Sequence, residues 1–241
     1  MLLPIFEILP VAGRQGGLCY NLPMRIRLNL NFKLGTVVKY FILSDLALLA
    51  GWGLIAPVFA VFVLNRIEGA TVITLGIAAA IYWITKSILQ VPIALFLDKT
   101  VSERDDYIFL VSGLILAGLA AISYILIDQI WQLYLVEFLH SIAFAFYVPA
   151  WSGMFARHLD QNHQSLDFSL DSAVVGVASG ITGITSGFLV TWFGFSTIFI
   201  LGAIFSFISA VIIFATPELV FPHRRHRGVI IRDHTPKTIN Q

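Results

Sequence analysis

Six long apolar stretches dominate the chain, and the short segments between them hold most of the charged residues. The stretches run over residues 37–64, 71–97, 107–127, 131–155, 171–192 and 195–215. A helix needs about 20 apolar residues to cross a bilayer core of about 30 Å, and every stretch is long enough. The sequence lacks the segments of about ten alternating residues that a membrane β-barrel would show. The pattern therefore predicts an all-α polytopic membrane protein with six transmembrane helices.

Composition supports this class and excludes several others. Of the 241 residues, 58% are hydrophobic and 12% are charged, whereas soluble domains have about 45–50% and about 25%. The net charge of +1 gives no general attraction to nucleic acid. The single cysteine, Cys19, cannot form an intrachain disulfide. No Cys/His group has metal-ligand spacing, and neither an HExxH motif nor a nucleotide-binding glycine loop occurs. We therefore expect that the protein binds no metal or cofactor and is not an enzyme.

Lysine and arginine are concentrated on one side of the predicted membrane. Twelve of the fifteen lie in the two tails, the second–third loop or the fourth–fifth loop, and Lys39 lies on the same side at the start of the first span. Arg66 lies opposite and Lys86 lies within a span. The positive-inside rule then predicts cytoplasmic termini, and we expect a multi-pass plasma-membrane protein. The domains are a cytoplasmic tail over 1–36, a transmembrane domain over 37–216 and a basic cytoplasmic tail over 217–241. Because the first 23 residues show no clear period, Met24 is an alternative start.

Two ionisable residues lie deep inside the first two spans. Asp45 and Lys86 are about 12 and 17 Å from the cytoplasmic ends of their helices, at about 1.5 Å per residue. Charges at this depth are costly and commonly functional. Tyr82, Lys86 and Gln90 follow at intervals of four and form one polar stripe. Lys86 either lines a water-filled pathway or forms a buried ion pair with Asp45.

The fourth span contains a carboxylate close to an imidazole. Glu137 and His140 are three residues apart and share a helix face with Tyr147. Such a pair can handle protons, because histidine changes charge near neutral pH. The alternative is that Glu137 lies near the membrane interface and that His140 bonds a backbone carbonyl.

The fifth span is rich in small residues. Its glycines recur at spacings of three and four, at Gly176, Gly180, Gly183 and Gly187. Small residues at these spacings form a surface on which two helices can pack closely. We therefore predict a packing helix here, and an unusually small-residue loop is the alternative.

Short motifs occur along the stretches in a recurring order. The first stretch contains GWGLIAPVFAVFVL, with Pro57, and the fourth contains HSIAFAFYVPAW, with small residues before Pro149. Asp98 and Lys99 follow the second stretch, and GFSTIF opens the sixth at residues 194–199. In this order and spacing, the chain over residues 37–216 resembles the N-terminal half of a major facilitator superfamily transporter.

The second–third loop shows both the match and its departures. In that family the loop has the pattern Gly-x-x-x-Asp-Arg/Lys-x-Gly-Arg/Lys-Arg/Lys. Asp98 and Lys99 match the central pair, Ala94 and Val101 stand at the glycine positions, and Arg104 comes one or two positions late. Elsewhere, a glutamate stands in the fourth span where the family often has arginine, and an isoleucine replaces the usual proline of the fifth.

The resemblance implies a secondary-active transporter that moves a small solute by alternating access, with proton coupling left open. Family members have two six-helix halves related by an axis along the membrane normal. This chain would then act as a homodimer or with a complementary half. A non-transporting partner subunit and a fragment of a twelve-helix transporter are the alternatives. Helices one, two, four and five face the cavity in the family, which implies a transport pathway along Asp45, Tyr82, Lys86, Gln90, Glu137, His140 and Tyr147.

The same resemblance implies a gating role for the second–third loop, whose charges hold the cytoplasmic side closed in the outward-open state. The residues concerned are Asp98, Lys99, Arg104 and, as a partner for Asp98, Arg157. The alternative is a charge cluster that only marks the membrane boundary. Under the gating interpretation, Asp98→Asn favours the inward-open state with little loss of folding.

Overall fold

The computed structural model describes residues 35–100, 103–159 and 164–215, which form α-helices and contain no strand. Six helices are long and apolar enough to cross a membrane, which confirms the predicted fold class. The predicted tails, with Met24 and Cys19, lie outside the described residues except for positions 35 and 36. The helices are α1 Thr36–Arg66, α2 Val72–Lys99, α3 Glu103–Ser123 followed by a 3-10 turn Tyr124–Leu126, α4 Ile130–His158, α5 Gln164–Phe193 and α6 Phe195–Phe214.

Successive helices run antiparallel, so their connections alternate between two ends of the bundle. The Arg66 end carries the α1–α2, α3–α4 and α5–α6 connections, and there Arg66 lies 3.6 Å from Asp128. The Arg157 end carries the α2–α3 and α4–α5 connections, and there Arg157 contacts Asp106. This up-and-down path places both ends of the described chain at the Arg157 end.

Local hydrogen bonds fix where helices begin at the Arg66 end. Thr71 and Thr74 form a reciprocal capping box at the start of α2, with backbone-to-hydroxyl distances of 3.1 and 3.4 Å. Such boxes satisfy amide groups that the first helical turn leaves without partners. Gly194 turns the chain from α5 into α6 with φ of 81°, a conformation that glycine adopts without strain.

Small residues let α1 and α6 approach closely. A Cβ atom placed on Gly51 would lie 3.0 Å from the carbonyl oxygen of Gly202. Two turns away on each helix, the buried hydroxyls of Ser44 and Ser209 are 2.8 Å apart. Each hydroxyl also donates to the backbone carbonyl oxygen of the other residue. Interhelical hydrogen bonds between such residues stabilise membrane helix pairs.

Among the described residues, the glycine stripe of α5 has almost no close neighbour, so its role as a packing surface stays a prediction. A Cβ atom on Gly176, Gly180 or Gly187 would meet nothing within 4 Å, and one on Gly183 would only reach Pro57 at 3.6 Å. The close contact between α1 and α5 instead uses Gly53, which faces Ser179 and Thr182. The stripe points away from the bundle because α5 turns a different face to α1. The loop alternative is wrong, since α5 is helical over 30 residues.

Burial is unequal among the six helices. Only 11% of the membrane-length stretch of α2 and 6% of that of α5 is buried, against 44–50% for the other four. Helix α2 packs mainly on α4, and α5 packs mainly on α1. The bundle therefore has one side on which two flanking helices expose most of their surface.

Candidate functional site

A pocket of about 250 Å³ opens between α1, α4 and the end of α3. Its wall is mostly aromatic and apolar, and one carboxylate and one imidazole provide its ionisable groups. The lining residues are Trp52, Ile55, Ala56, Phe59, Tyr124, Glu137 and His140. An apolar pocket with a few convergent polar groups is the usual form of a small-molecule site.

Glu137 and His140 lie together inside the bundle. The Glu137 side chain is buried, accepts a hydrogen bond of 2.8 Å from the Tyr124 hydroxyl, and lies 3.5 Å from Nδ1 of His140. The imidazole stacks on the Trp52 indole, with ring centroids 3.9 Å apart. The described contacts of His140 are therefore to side chains, which favours the paired interpretation over a bond to a backbone carbonyl.

The polar stripe of α2 borders this group. The ring of Tyr82 lies 4.4 Å from that of His140, between centroids. The ammonium of Lys86 lies 5.0 Å from the ring centroid of Trp83 and 5.9 Å from that of Phe144, within the range of cation–π attraction. Gln90 is half-buried two turns after Tyr82. Within the described helices no ion pair joins Lys86 to Asp45, so the alternative of a buried pair is not seen there.

Asp45 belongs to a second polar group nearer the Arg157 end. Its carboxylate accepts a hydrogen bond from the Tyr147 hydroxyl, and its side chain interacts with that of Asp171 on α5. All three residues are buried, with 6% of Asp45, 4% of Tyr147 and 7% of Asp171 exposed. The structure thus brings the predicted residues Asp45 and Tyr147 together and adds Asp171.

Phe144 separates the two polar groups along α4. Its ring makes edge contacts with His140 on one side, at 5.1 Å, and with Tyr147 on the other, at 6.0 Å. It also meets the Trp52 ring edge-on at 5.5 Å. The pocket group and the Asp45 group are therefore neighbours that share an aromatic wall.

The charged residues of the predicted gating loop are mostly helical. Asp98 and Lys99 end α2 and are exposed, and Arg104 lies in the first turn of α3. Arg157 bonds the buried Asp106 of α3 rather than Asp98, which corrects the predicted partner. Arg157 pairs with Asp106 because α3 and α4 pack along their length, whereas Asp98 is exposed at the end of α2.

Comparison with known proteins identifies the family. The Major Facilitator Superfamily model matches residues 41–232 of the 241-residue chain. The chain belongs to the major facilitator superfamily. The match confirms the resemblance on which the transport prediction was based. Among curated proteins, no match is found.

A solved structure supports the superfamily fold. The in meso crystal structure of the POT family transporter PepTSo aligns with a TM-score of 0.55 at 17% identity, covering 73% of this chain and 36% of that chain. At this identity the likeness concerns the fold alone. The chain spans 36% of that transporter's length, consistent with one six-helix half of a superfamily member.

Sequence reasoning missed Asp171, Trp52 and Tyr124 as members of these groups. Hydropathy makes Asp171 the first residue of the fifth span, at the membrane boundary, whereas α5 begins at Gln164. The available signal was Asp167, which precedes Asp171 by one turn, with a phenylalanine and a leucine on either side of a serine between them. Trp52 and Tyr124 carried no comparable signal, because aromatic residues are common in every span.

Proposed function

We propose that this superfamily member is a secondary-active transporter that moves a small solute by alternating access. The observation that carries the proposal is the pocket with Trp52, Glu137 and His140 inside a bundle of the transporter fold. Its volume of about 250 Å³ lies below the range of about 300–1,000 Å³ for drug-sized ligands, which favours a small solute. The experiment for this proposal follows internal pH together with uptake, so that it also detects proton coupling.

The walls of the pocket suit a ligand that is partly aromatic or aliphatic and carries a polar group. The indole nitrogen of Trp52 is buried and donates no hydrogen bond within the described residues. A buried donor without a partner costs free energy. A solute acceptor could satisfy it, while Tyr82 and Lys86 lie beyond the stacked imidazole and would contribute to the pathway.

A second six-helix bundle is the proposed partner of this chain. Helices α2 and α5 are almost uncovered, and α5 presents the glycine stripe on that open surface. An even number of spans lets a second copy insert in the same orientation, and a two-fold axis would then reproduce the symmetry between superfamily halves. A complementary half on another chain, or on the remainder of a longer chain, would cover the same surface.

The proposed orientation places the Arg157 end in the cytoplasm of a cell whose plasma membrane holds the protein. Lys99, Arg104 and Arg157 lie at that end of the described helices, whereas Arg66 lies at the other. Positive charge collects on the cytoplasmic side of membrane proteins. Under this orientation, the gating role of Asp98 and Lys99 concerns the cytoplasmic side.

Reconstituted protein tests the function. Liposomes that contain the purified chain and a pH dye are given a panel of labelled small solutes, and both uptake and internal pH are followed. We expect uptake of at least one solute, lost in Glu137→Gln and in Lys86→Ala but retained in Glu68→Gln, which changes an exposed glutamate. A chain that stays monomeric in nanodiscs and moves no solute of the panel would indicate a non-transporting partner subunit.

A further inference from the structure

A pair of carboxyl groups lies buried between α1 and α5, outside the pocket described above. Asp45 and Asp171 lie on packed helices and their side chains interact, and each is more than nine-tenths buried. From α4, the buried Tyr147 hydroxyl donates to Asp45. At about 1.5 Å per residue, Asp171 is about 10 Å into α5 and Asp45 about 14 Å into α1. The pair therefore lies inside both helices, about two turns or more from their first residues.

Two carboxyl groups in this contact need a proton between them. An ionised carboxylate only accepts hydrogen bonds, so one member must carry a proton to bond the other. Two negative charges on interacting buried side chains would also repel each other strongly. We propose that Asp45 and Asp171 share one proton and form a proton-binding site, with Tyr147 positioning the Asp45 carboxylate.

The unpaired oxygen of Asp171 is a second observation at this site. Its Oδ1 atom is buried and accepts no hydrogen bond from the described residues. Leaving a buried acceptor without a donor is unfavourable, and such groups occur at functional positions. Oδ1 is therefore an open position at which the single proton of the pair can leave or return.

The other charged groups around the pair leave its negative charge uncompensated. Helix α4 contributes Tyr147, and α5 contributes Asp167, which is buried one turn before Asp171. Helix α6 offers only the Ser44–Ser209 hydroxyl pair beside α1. The three ion pairs among the described residues involve other carboxylates, namely Asp106, Asp128 and Glu137. A proton is thus the available counter-charge within this part of the chain.

The pair gains or loses a single proton. One proton leaves the carboxylic acid and two carboxylates remain, or the reverse step restores the shared proton. The use of this exchange to drive solute movement rests on the proposed transport function, whereas the proton site itself does not. Phe144 lies between Tyr147 and His140, so protonation of the pair and occupation of the pocket act on the same aromatic wall.

Infrared spectroscopy of the purified full chain in nanodiscs tests the proposal without any solute. The carbonyl band of protonated carboxyl groups is recorded across a pH titration, and proton release after an alkaline jump is counted with a dye. We expect about one proton per chain from this pair. The proton release and the part of the band that belongs to the pair should both be lost in Asp45→Asn and in Asp171→Asn, and both should be kept in the exposed control Glu68→Gln.

A third variant covers the case in which the asparagine variants fail to fold. Tyr147→Phe keeps both carboxyl groups and removes one hydrogen bond, so the band should shift in frequency without disappearing. A band unchanged in all three variants would overturn the proton site, as would folded wild-type protein with no such band. Solute uptake without this band would overturn the proton site alone, whereas the band without uptake of any solute would overturn only the transport function.

Discussion

At the scale of single residues, several buried polar side chains of this bundle are arranged in small groups that hydrogen-bond one another. Glu137 is buried at 5% exposure and depends on Tyr124 and His140. Removing one member of such a group leaves the other buried without a hydrogen-bond partner, which lowers the free energy of unfolding. The groups are therefore sensitive to changes of a single atom.

Deleting one hydroxyl tests this dependence. Tyr124→Phe removes the donor that lies 2.8 Å from Glu137, and we expect a loss of about 1–3 kcal/mol in unfolding free energy from the unsatisfied carboxylate. Thermal unfolding in detergent, followed by circular dichroism, measures the shift. Tyr134→Phe deletes the same atom from a partly buried tyrosine and should have little effect.

A double variant separates the lost hydrogen bond from a general packing defect. With Glu137→Gln as background, the carboxylate charge is absent and Tyr124→Phe should cost less than in the wild type. Equal costs in the two backgrounds would mean that the hydroxyl stabilises the protein through something other than Glu137.

The sequence could predict part of these groups and not the rest. Asp45, Glu137 and His140 stood out because ionisable residues are rare within apolar stretches, and the structure places each in a polar group. The sequence could not show that Asp45 meets Asp171 rather than Lys86, because partner choice depends on which helices pack. Helix α5 packs on α1, whereas α2 packs on α4.

At the scale of helices, glycine position decides which pairs can approach. A Cβ atom on Gly53 would lie 2.5 Å from Oγ1 of Thr182 and 3.1 Å from the backbone of Ser179. Gly53→Ala should therefore separate α1 from α5 and cost about 1–3 kcal/mol, the range for overpacking. Thermal unfolding checks this. Gly180→Ala, which meets nothing within 4 Å, is the matched control. Equal losses in the two variants would contradict this packing.

The two ends of the α2–α3 connection should differ in their contribution to stability. Asp106→Asn removes the charge that Arg157 contacts between α3 and α4, and we expect a loss of about 1.5–3 kcal/mol. Asp98→Asn changes an exposed residue and should stay within about 0.5 kcal/mol. Chemical unfolding in mixed micelles compares them. A larger loss at Asp98 would indicate that this residue, and not Asp106, holds the helix ends together.

The proposed gating role of Asp98 is a separate prediction about conformation. Asp98→Asn should favour the inward-open state and raise the labelling of single cysteines placed along the Arg157 end of the pathway. Unchanged labelling would leave Asp98 and Lys99 as a charge cluster at the membrane boundary. The stability comparison and the labelling comparison together distinguish a structural contact from a conformational one.

At the scale of the whole molecule, hydropathy predicted the six helices because bilayer thickness fixes the length of each span. Hydropathy does not report which helices are covered, since lipid-facing and partner-facing surfaces are both apolar. The uncovered state of α2 and α5 therefore emerged only from the packing. The glycine stripe fits this result, because small residues point to a close neighbour that the described chain does not provide.

Disulfide cross-linking tests the second bundle as a second copy of this chain. A two-fold axis along the membrane normal would bring α2 of one copy against α5 of the other. In a Cys19→Ser background, chains with Ile84→Cys on α2 and chains with Val177→Cys on α5 are co-expressed with different tags. Both residues are exposed, at 59% and 64%, and lie near the middle of their helices. We expect a mixed-tag dimer in native membranes.

The matched control uses the opposite side of the bundle. Ile204→Cys lies near the middle of α6 and is 46% exposed, but it faces lipid in the proposed assembly. It should not cross-link with Val177→Cys. Equal cross-linking of both combinations would indicate random collision, and none with Ile84→Cys would rule out this homodimer and favour a complementary half. Because α2 and α5 flank the helices that hold both polar groups, a specific cross-link would also place these groups at the interface between two bundles.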